Sequence, residues 1–265
     1  MKIISSFFQI VDKQTIIISI LSMISTYLCL YFGVHASIPA GLIGIAVIFP
    51  IVFSINAAYR RREDALKSFA SFRGHAISIF YAHRDWHSDT GEHVKRIKNI
   101  TESLLDSTRE YFISPEENTA ILDKIYQQFS LISESHEKLR ASGVPTGEIS
   151  RLNQYLKSIV IDFEKMRNIY TYRTPISLRA YSQVFLNIFP IIFGPYFAHL
   201  ALEAFPAVGY GVALLYSVVL VSLDNIQEDL ENPYDGIGED DIDFDVTDEF
   251  MRVIEQIRQT PLENN

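Results

Sequence analysis

Apolar and polar positions fall in long blocks along this chain. Residues 14–32 (QTIIISILSMISTYLCLYF) carry no charged side chain, and after a polar break at 35–37 residues 38–59 are again uncharged. A third run, 184–223, holds Glu203 and His199 as its only acid and imidazole. That run is about twice the roughly 20 residues needed to cross a bilayer once, and the break at 203–206, containing Pro206, splits it in two. The pattern predicts an all-α, polytopic membrane protein. It has four transmembrane helices paired as two hairpins, and a helical cytoplasmic bundle between the pairs. The expected divisions are 1–59 for the N-terminal segment and helices one and two, 60–183 for the cytoplasmic region, 184–223 for helices three and four, and 224–265 for an acidic loop and a final helix.

Basic residues set the expected orientation. Lys2 and Lys13 precede helix one, Arg60, Arg61 and Arg62 follow helix two, and neither short hairpin loop contains Lys or Arg. Lys and Arg accumulate on the cytoplasmic side of short loops, so both termini and the central region are placed inside, in a multi-pass cell (inner) membrane protein. The first run could be taken for a signal peptide, with VHAS at 34–37 as a cleavage site, but it is long for such a segment and a second span follows at once. Polar groups inside the spans (Ser19, Ser22, Ser25, Thr26, Asn56, Asn187) call for a partner or a water path. Cys29 is the sole cysteine, so neither a disulfide framework nor a thiolate metal site exists.

Between the hairpins the 3.6-residue period dominates. Ile121, Ile125, Phe129 and Ile132 mark one apolar face, and Ile149, Leu152, Leu156, Val160, Phe163 and Met166 another. Ser114-Pro115-Glu116-Glu117 reads as a helix start, with a Ser cap, Pro at the first helical position and acids in the first turn. Gly143 and Pro145 read as a stop. After Thr247, Phe250, Val253, Ile254 and Ile257 predict one more short helix. Helix two should be capped by Ser37, opened by Pro39 and kinked at Pro50. Along it Ile45, Phe49 and Phe53 fall at i, i+4 and i+8, an apolar stripe that, taken alone, would face lipid or a neighbouring helix. The residues that follow are polar: Ser54, Asn56, then Tyr59, Arg60 to Arg62, Glu63 and Asp64.

The net charge of −9 argues against nucleic acid, which needs a basic stripe. Much of the excess lies at 223–245 (LDNIQEDLENPYDGIGEDDIDFD), where no Lys or Arg interrupts the acids. Such a loop is either a solvated acidic linker or a hard-cation site; Ca²⁺ takes six to eight oxygens from carboxylates and turn carbonyls. His83 and His87 stand four apart with His93 nearby, a spacing that can hold a metal. No third ligand is fixed, and Arg84, Asp85 and Asp89 read as an exposed helix end. No nucleophile elbow, Walker loop, dinucleotide fingerprint or catalytic carboxylate pair is present, so the chain does not read as an enzyme.

Three segments, in order, carry a resemblance. GIAVIFPIVFSINAAYRRREDA (44–65) resembles the second helix of the bestrophins, with Gly44, Ile45, Ala46, Phe53, Asn56, Ala57, Tyr59, Arg61 and Ala65 in register. TPISLRAYSQ (174–183) is similar to the family's segment before helix three. LENPYDGIGEDDIDF (230–244) is similar to its acidic INPFGEDDDDF segment, with Asp-Gly-Ile inserted. Two departures are Arg62-Glu63, where the family carries an aromatic pair, and Pro50.

The resemblance implies a homopentameric channel in the lipid bilayer for chloride or other small monovalent ions. Helix two would line a neck in which Ile45, Phe49 and Phe53 form rings, with Asn56 beside it. Apolar rings can gate by dewetting, and inward phenylalanine edges, which carry partial positive charge, can favour an anion. A cytoplasmic aperture would fall at Glu148 or Ile149. Asp240 and Asp243 would supply carboxylates, and Asp229 and Asn232 carbonyls, to a possible Ca²⁺; no other cofactor is implied. The alternative is a non-conducting membrane scaffold or regulatory partner of the same fold.

Overall fold

The computed structural model describes residues 11–86, 91–172, 176–236, 241–245 and 252, with the backbone alone at 40, 42–43, 46–47, 50, 176–179 and 182. The helices in chain order are α1 (Lys13–Tyr31), α2 (Ala40–Asp85), α3 (Glu92–Ile113), α4 (Thr119–Ala141), α5 (Thr146–Thr171), α6 (Ile176–Ile192), α7 (Gly194–Glu203) and α8 (Pro206–Glu231). The described residues contain no strand. Two compact units emerge: Met1–Arg61 with Arg173–Asn232, and Arg62–Tyr172 with Pro233–Asn265. The helix expected after Thr247 lies outside the described residues, apart from Arg252.

In the first unit α1 packs on α6, α7 and α8, and α8 packs on α6 and α7. Among the described residues three stretches are long and apolar enough to cross a membrane: Lys13–Tyr31, Gln183–Glu203 and Pro206–Glu231. The fourth expected span is the start of α2, whose side chains are described in part. Helix α1 begins because the Asp12 carboxylate accepts the Thr15 amide at 2.8 Å, a side-chain cap for an otherwise orphan donor. It ends at Gly33, whose φ of +68° only glycine adopts without strain. Helix α2 starts at Ala40, directly after Pro39, with Ser37 three residues before its first residue. The helix then runs through Pro50.

The buried face of α1 is its polar one: Thr15, Ser19, Ser22 and Thr26 are buried, while Ile16, Ile17, Ile20 and Ile24 are exposed. In lipid this inversion is expected, because hydrocarbon solvates isoleucine as well as a protein core does and hydroxyls need partners. Ser22 Oγ donates to the Pro190 carbonyl at 2.7 Å and Ser25 Oγ to the Ile191 carbonyl at 2.7 Å. The cause is local: Pro195 has no N–H, so the Ile191 carbonyl four residues earlier loses its helical partner, and the chain breaks between α6 and α7. Thr26 bonds the Ser22 carbonyl and Asn187 the Gln183 carbonyl and Asp224. Those expected polar groups therefore find partners within one subunit and by themselves require no neighbour; Ser19 Oγ has no hydrogen bond.

The second unit packs the later part of α2 with α3, α4 and α5 around Phe72, Ile97, Leu104, Ile125, Ile132 and Phe163. The expected start at Ser114 is wrong. Ser114 caps the C-terminus of α3, and α4 begins at Thr119 because Asn118 Oδ1 accepts the amides of Ala120 and Ile121 at 3.0 and 3.3 Å. Asn is among the strongest N-caps, and it displaces the boundary by one turn. The stop at Gly143 stands: its φ is +96°, and the Val144 amide reaches back to the Leu139 carbonyl at 3.2 Å, a Schellman closure.

Candidate functional site

Four residues of α2 frame the candidate passage. Ile45, Phe49 and Phe53 are 64%, 62% and 58% exposed, whereas Ile51, Ser54 and Ala58 on another face are nearly inaccessible. The helix thus turns one apolar side into its own unit, where Ile51 packs with Leu186 and Leu220, and a second apolar side outward. The Phe49 and Phe53 rings meet edge to face at 4.8 Å between centroids, an arrangement in which the positive edge of one ring meets the negative face of the other. Asn56 and Tyr59 are exposed and continue the stripe with polar groups.

The two aperture candidates separate. Ile149 is 3% exposed and belongs to the apolar core of the second unit, so its side chain is not available to line a passage. Glu148, one residue earlier, is half-buried, and its carboxylate pairs with Arg151 at 3.0 Å. With Trp86, Val144 and Pro145 this pair borders a groove of about 520 Å³.

The acidic segment is held by its apolar residues. Tyr234, Ile242 and Phe244 are buried in the second unit, Phe112 stacks on Tyr234 and Phe244, and Tyr234 donates to the Met166 carbonyl at 3.3 Å. The alternation Asp241-Ile242-Asp243-Phe244-Asp245 puts apolar side chains inward and leaves Asp243 and Asp245 exposed. The acids are partly satisfied by the protein itself. Asp241 accepts the Gly236 amide at 2.6 Å, Asp243 accepts the Asp245 amide at 2.7 Å, and Arg109 pairs with Asp245 at 2.9 Å. Of the expected metal residues, Asp240 lies outside the described residues, and Asp229 and Asn232 belong to the first unit while Asp243 belongs to the second. Among the described residues no group of three or more His, Cys, Asp or Glu side chains could hold a metal ion.

Two polar constellations carry no signature in the sequence. At one end of the first unit, Gln14 donates to Asn187 at 3.0 Å, Asn187 to Asp224 at 3.4 Å, and Asn225 to Thr15 at 3.5 Å, tying α1, α6 and α8 together. Burial pushes the Asp12 carboxyl up, but hydrogen bonds from Thr15 and Asn225 outweigh it and hold it below the usual carboxylate range. In the second unit Arg167 bonds Glu117 at 2.9 Å and Tyr111 donates to Glu117 at 3.0 Å. Burial pushes the Tyr111 hydroxyl up to about 12, and the Arg167 and Tyr111 bonds hold Glu117 low. A carboxyl depressed in the folded state stabilises above its unfolded pKa and loses that contribution as pH falls through the lower folded value. Melting curves of Glu117→Gln should therefore lie below wild type at pH 7 and converge with it as pH falls through and below the carboxylate range; a gap of constant size across the titration would assign the loss to packing.

No protein-family model matches the sequence, and no curated protein matches it. Solved structures do. A bacterial bestrophin homologue from Klebsiella pneumoniae superposes with a TM-score of 0.76 at 17% identity, over 96% of this chain and 99% of the homologue. A point mutant of that homologue gives 0.74 at 17% identity over 92% and 97%, and a mutant membrane protein gives 0.78 at 17% identity over 99% and 100%. The chain therefore has, over nearly its whole length, the fold of the bacterial bestrophin homologues.

Proposed function

We propose that this chain is one subunit of a bestrophin-type ion channel, a pentamer of a multi-pass inner membrane protein with both termini in the cytoplasm. It conducts chloride or other small monovalent ions through a neck formed by Ile45, Phe49 and Phe53 of each α2. One observation carries the reading: α2 presents that stripe outward while burying its opposite side in its own chain, and polar Asn56 and Tyr59 extend the stripe, which suits water better than lipid. Glu148 is the aperture side chain in this reading. Purified protein in a planar bilayer, under asymmetric potassium chloride, tests it. A current reversing near the chloride potential supports an anion channel, reversal near the potassium potential overturns the chloride assignment, and an electrically silent pentamer favours the scaffold.

Ca²⁺ is the one cofactor this reading admits, held through Asp240 and Asp243. Hard carboxylate oxygens suit it, and an ion that binds only the folded loop stabilises by mass action. Millimolar Ca²⁺ should raise the melting temperature, and Asp240→Ala with Asp243→Ala should abolish the rise. Identical melting in Ca²⁺ and in chelator would leave the loop to its own hydrogen bonds and to Arg109.

A further inference from the structure

Three imidazoles from three helices meet in the second unit. His83 of α2 is fully buried, so the sequence expectation of an exposed helix end fails at this residue. Its ring lies 5.0 Å from that of His93 of α3 and 5.3 Å from that of His136 of α4, roughly parallel to both. Stacked rings do not aim three lone pairs at one point, which argues against a shared metal ion.

The hydrogen bonds assign the protons. Ser135 Oγ spends its one hydrogen on the Ile132 carbonyl at 2.7 Å, so at 3.3 Å from His83 Nε2 it accepts, and Nε2 carries hydrogen. A neutral His83 then has a bare Nδ1, and His93 Nε2, 2.8 Å away, must donate to it. His136 Nδ1 lies 2.8 Å from Asn153 Oδ1, an acceptor only, so Nδ1 carries the hydrogen. His136 Nε2 is left as a buried lone pair with no hydrogen-bond partner.

We propose that His83, His93 and His136 form a buried proton-sensing site that is neutral at rest and that acid charges, weakening the packing of the end of α2 against α3 and α4. Hydrogens on both His83 Nδ1 and His93 Nε2 would face each other, so a proton added to that pair leaves the charge on His93 and keeps His83 its acceptor. A proton on His136 Nε2 finds no acceptor. Burial lowers its affinity, partly offset by Asn153 and by the charge of Glu137. Among the described residues, Arg84 pairs with Asp85 on α2, Arg96 of α3 and Lys138 of α4 with Glu134, and Arg151 with Glu148 on α5. Glu137 also pairs with Arg140, leaving a partly neutralised carboxylate beside His136.

The sign follows from linkage. His136 takes up protons less readily folded than unfolded. Stability is kept above the ordinary histidine range and lost as pH falls from that range toward the lower folded value, by up to about tenfold in the folding equilibrium per pH unit for each proton. Trp86, the sole tryptophan, follows the last residue of α2 and borders the groove with Val144 and Glu148, so its emission reports a loosening of that helix end. The full-length protein in detergent is titrated from pH 8 to 5, following melting temperature and Trp86 emission. Wild type should lose stability and shift emission in one window. His136→Gln should flatten the melting profile, and His93→Gln should remove the emission step. His35→Gln, in the first unit, should leave both unchanged. The proposal is overturned if His136→Gln and His93→Gln titrate as wild type does, or if the His35 substitution alone removes both signals.

Discussion

Replacing Phe49 and Phe53 together with alanine should raise the open probability several-fold while leaving assembly intact. Both rings are more than half exposed, so truncation opens no cavity in the subunit. What the subunit loses is the edge-to-face contact between them, worth about 0.5–1.5 kcal/mol. In a neck, by contrast, two apolar rings per subunit set both the width and the wetting of the constriction, and a narrow apolar passage excludes water until it is widened or made polar. Ile51→Ala is the control in the other direction. Its side chain is 1% exposed against Leu186 and Leu220, so it should cost stability, about 2–5 kcal/mol for a core isoleucine truncated to alanine, without selectively opening the channel. Single-channel records with melting curves on the same preparations separate the two effects. An unchanged open probability in the double Phe variant would move the gate away from this stripe, to the aperture proposed at Glu148.

The spans are legible in the sequence because a bilayer imposes a length and a ban on charge that composition alone reveals. The stripe of Ile45, Phe49 and Phe53 is legible for a related reason, since its period of four shows in the bare chain. Its exposure is not, because periodicity cannot say whether an apolar face meets a core, lipid or water. The displaced start of α4 shows the limit of local signals. Ser114-Pro115 and Asn118 are both plausible caps, and the choice falls to Asn118 because Tyr111 and Arg167 recruit Glu117 and Tyr170 takes the Ser114 carbonyl, fixing the connection in a non-helical form. Ile149 suits an aperture by position alone, although its place in the Leu152, Phe163 and Met166 series already marks it as core. The histidine trio lies beyond sequence reasoning: His83 and His93 are near one another in the chain, but His136 reaches them only by tertiary packing. A spacing signal of another kind is present in the hairpin. Gly209, Ala213 and Ser217 recur every four residues on α8, as Gly194, Ala198 and Ala201 stand three or four apart on α7, the small-residue pattern by which membrane helices approach closely.

That pattern supports the second large effect: Gly209→Leu should prevent the α7–α8 hairpin from forming. A Cβ at Gly209 would meet the Phe197 carbonyl oxygen, the Ala201 Cβ at 2.6 Å and the Ala201 amide nitrogen at 3.1 Å. Two of these three are backbone atoms of α7, which cannot rotate away as a flexible side chain could, so the helices themselves must separate. Separation would uncouple Ala213, fully buried against Phe193 and Phe197, and would draw α7 away from α1, on which it packs. Overpacking alone costs about 1–3 kcal/mol; with the lost packing of Ala213 and its neighbours, the sum reaches the scale of a whole domain's margin of about 5–15 kcal/mol. At Gly211, two residues on, an added Cβ would have nothing within 4 Å, so Gly211→Leu should fold normally although it makes the same chemical change in the same helix. Gel-filtration profiles and melting temperatures of the two variants test this. Comparable stability of Gly209→Leu and Gly211→Leu would mean that the close approach of α7 and α8 contributes little to the fold.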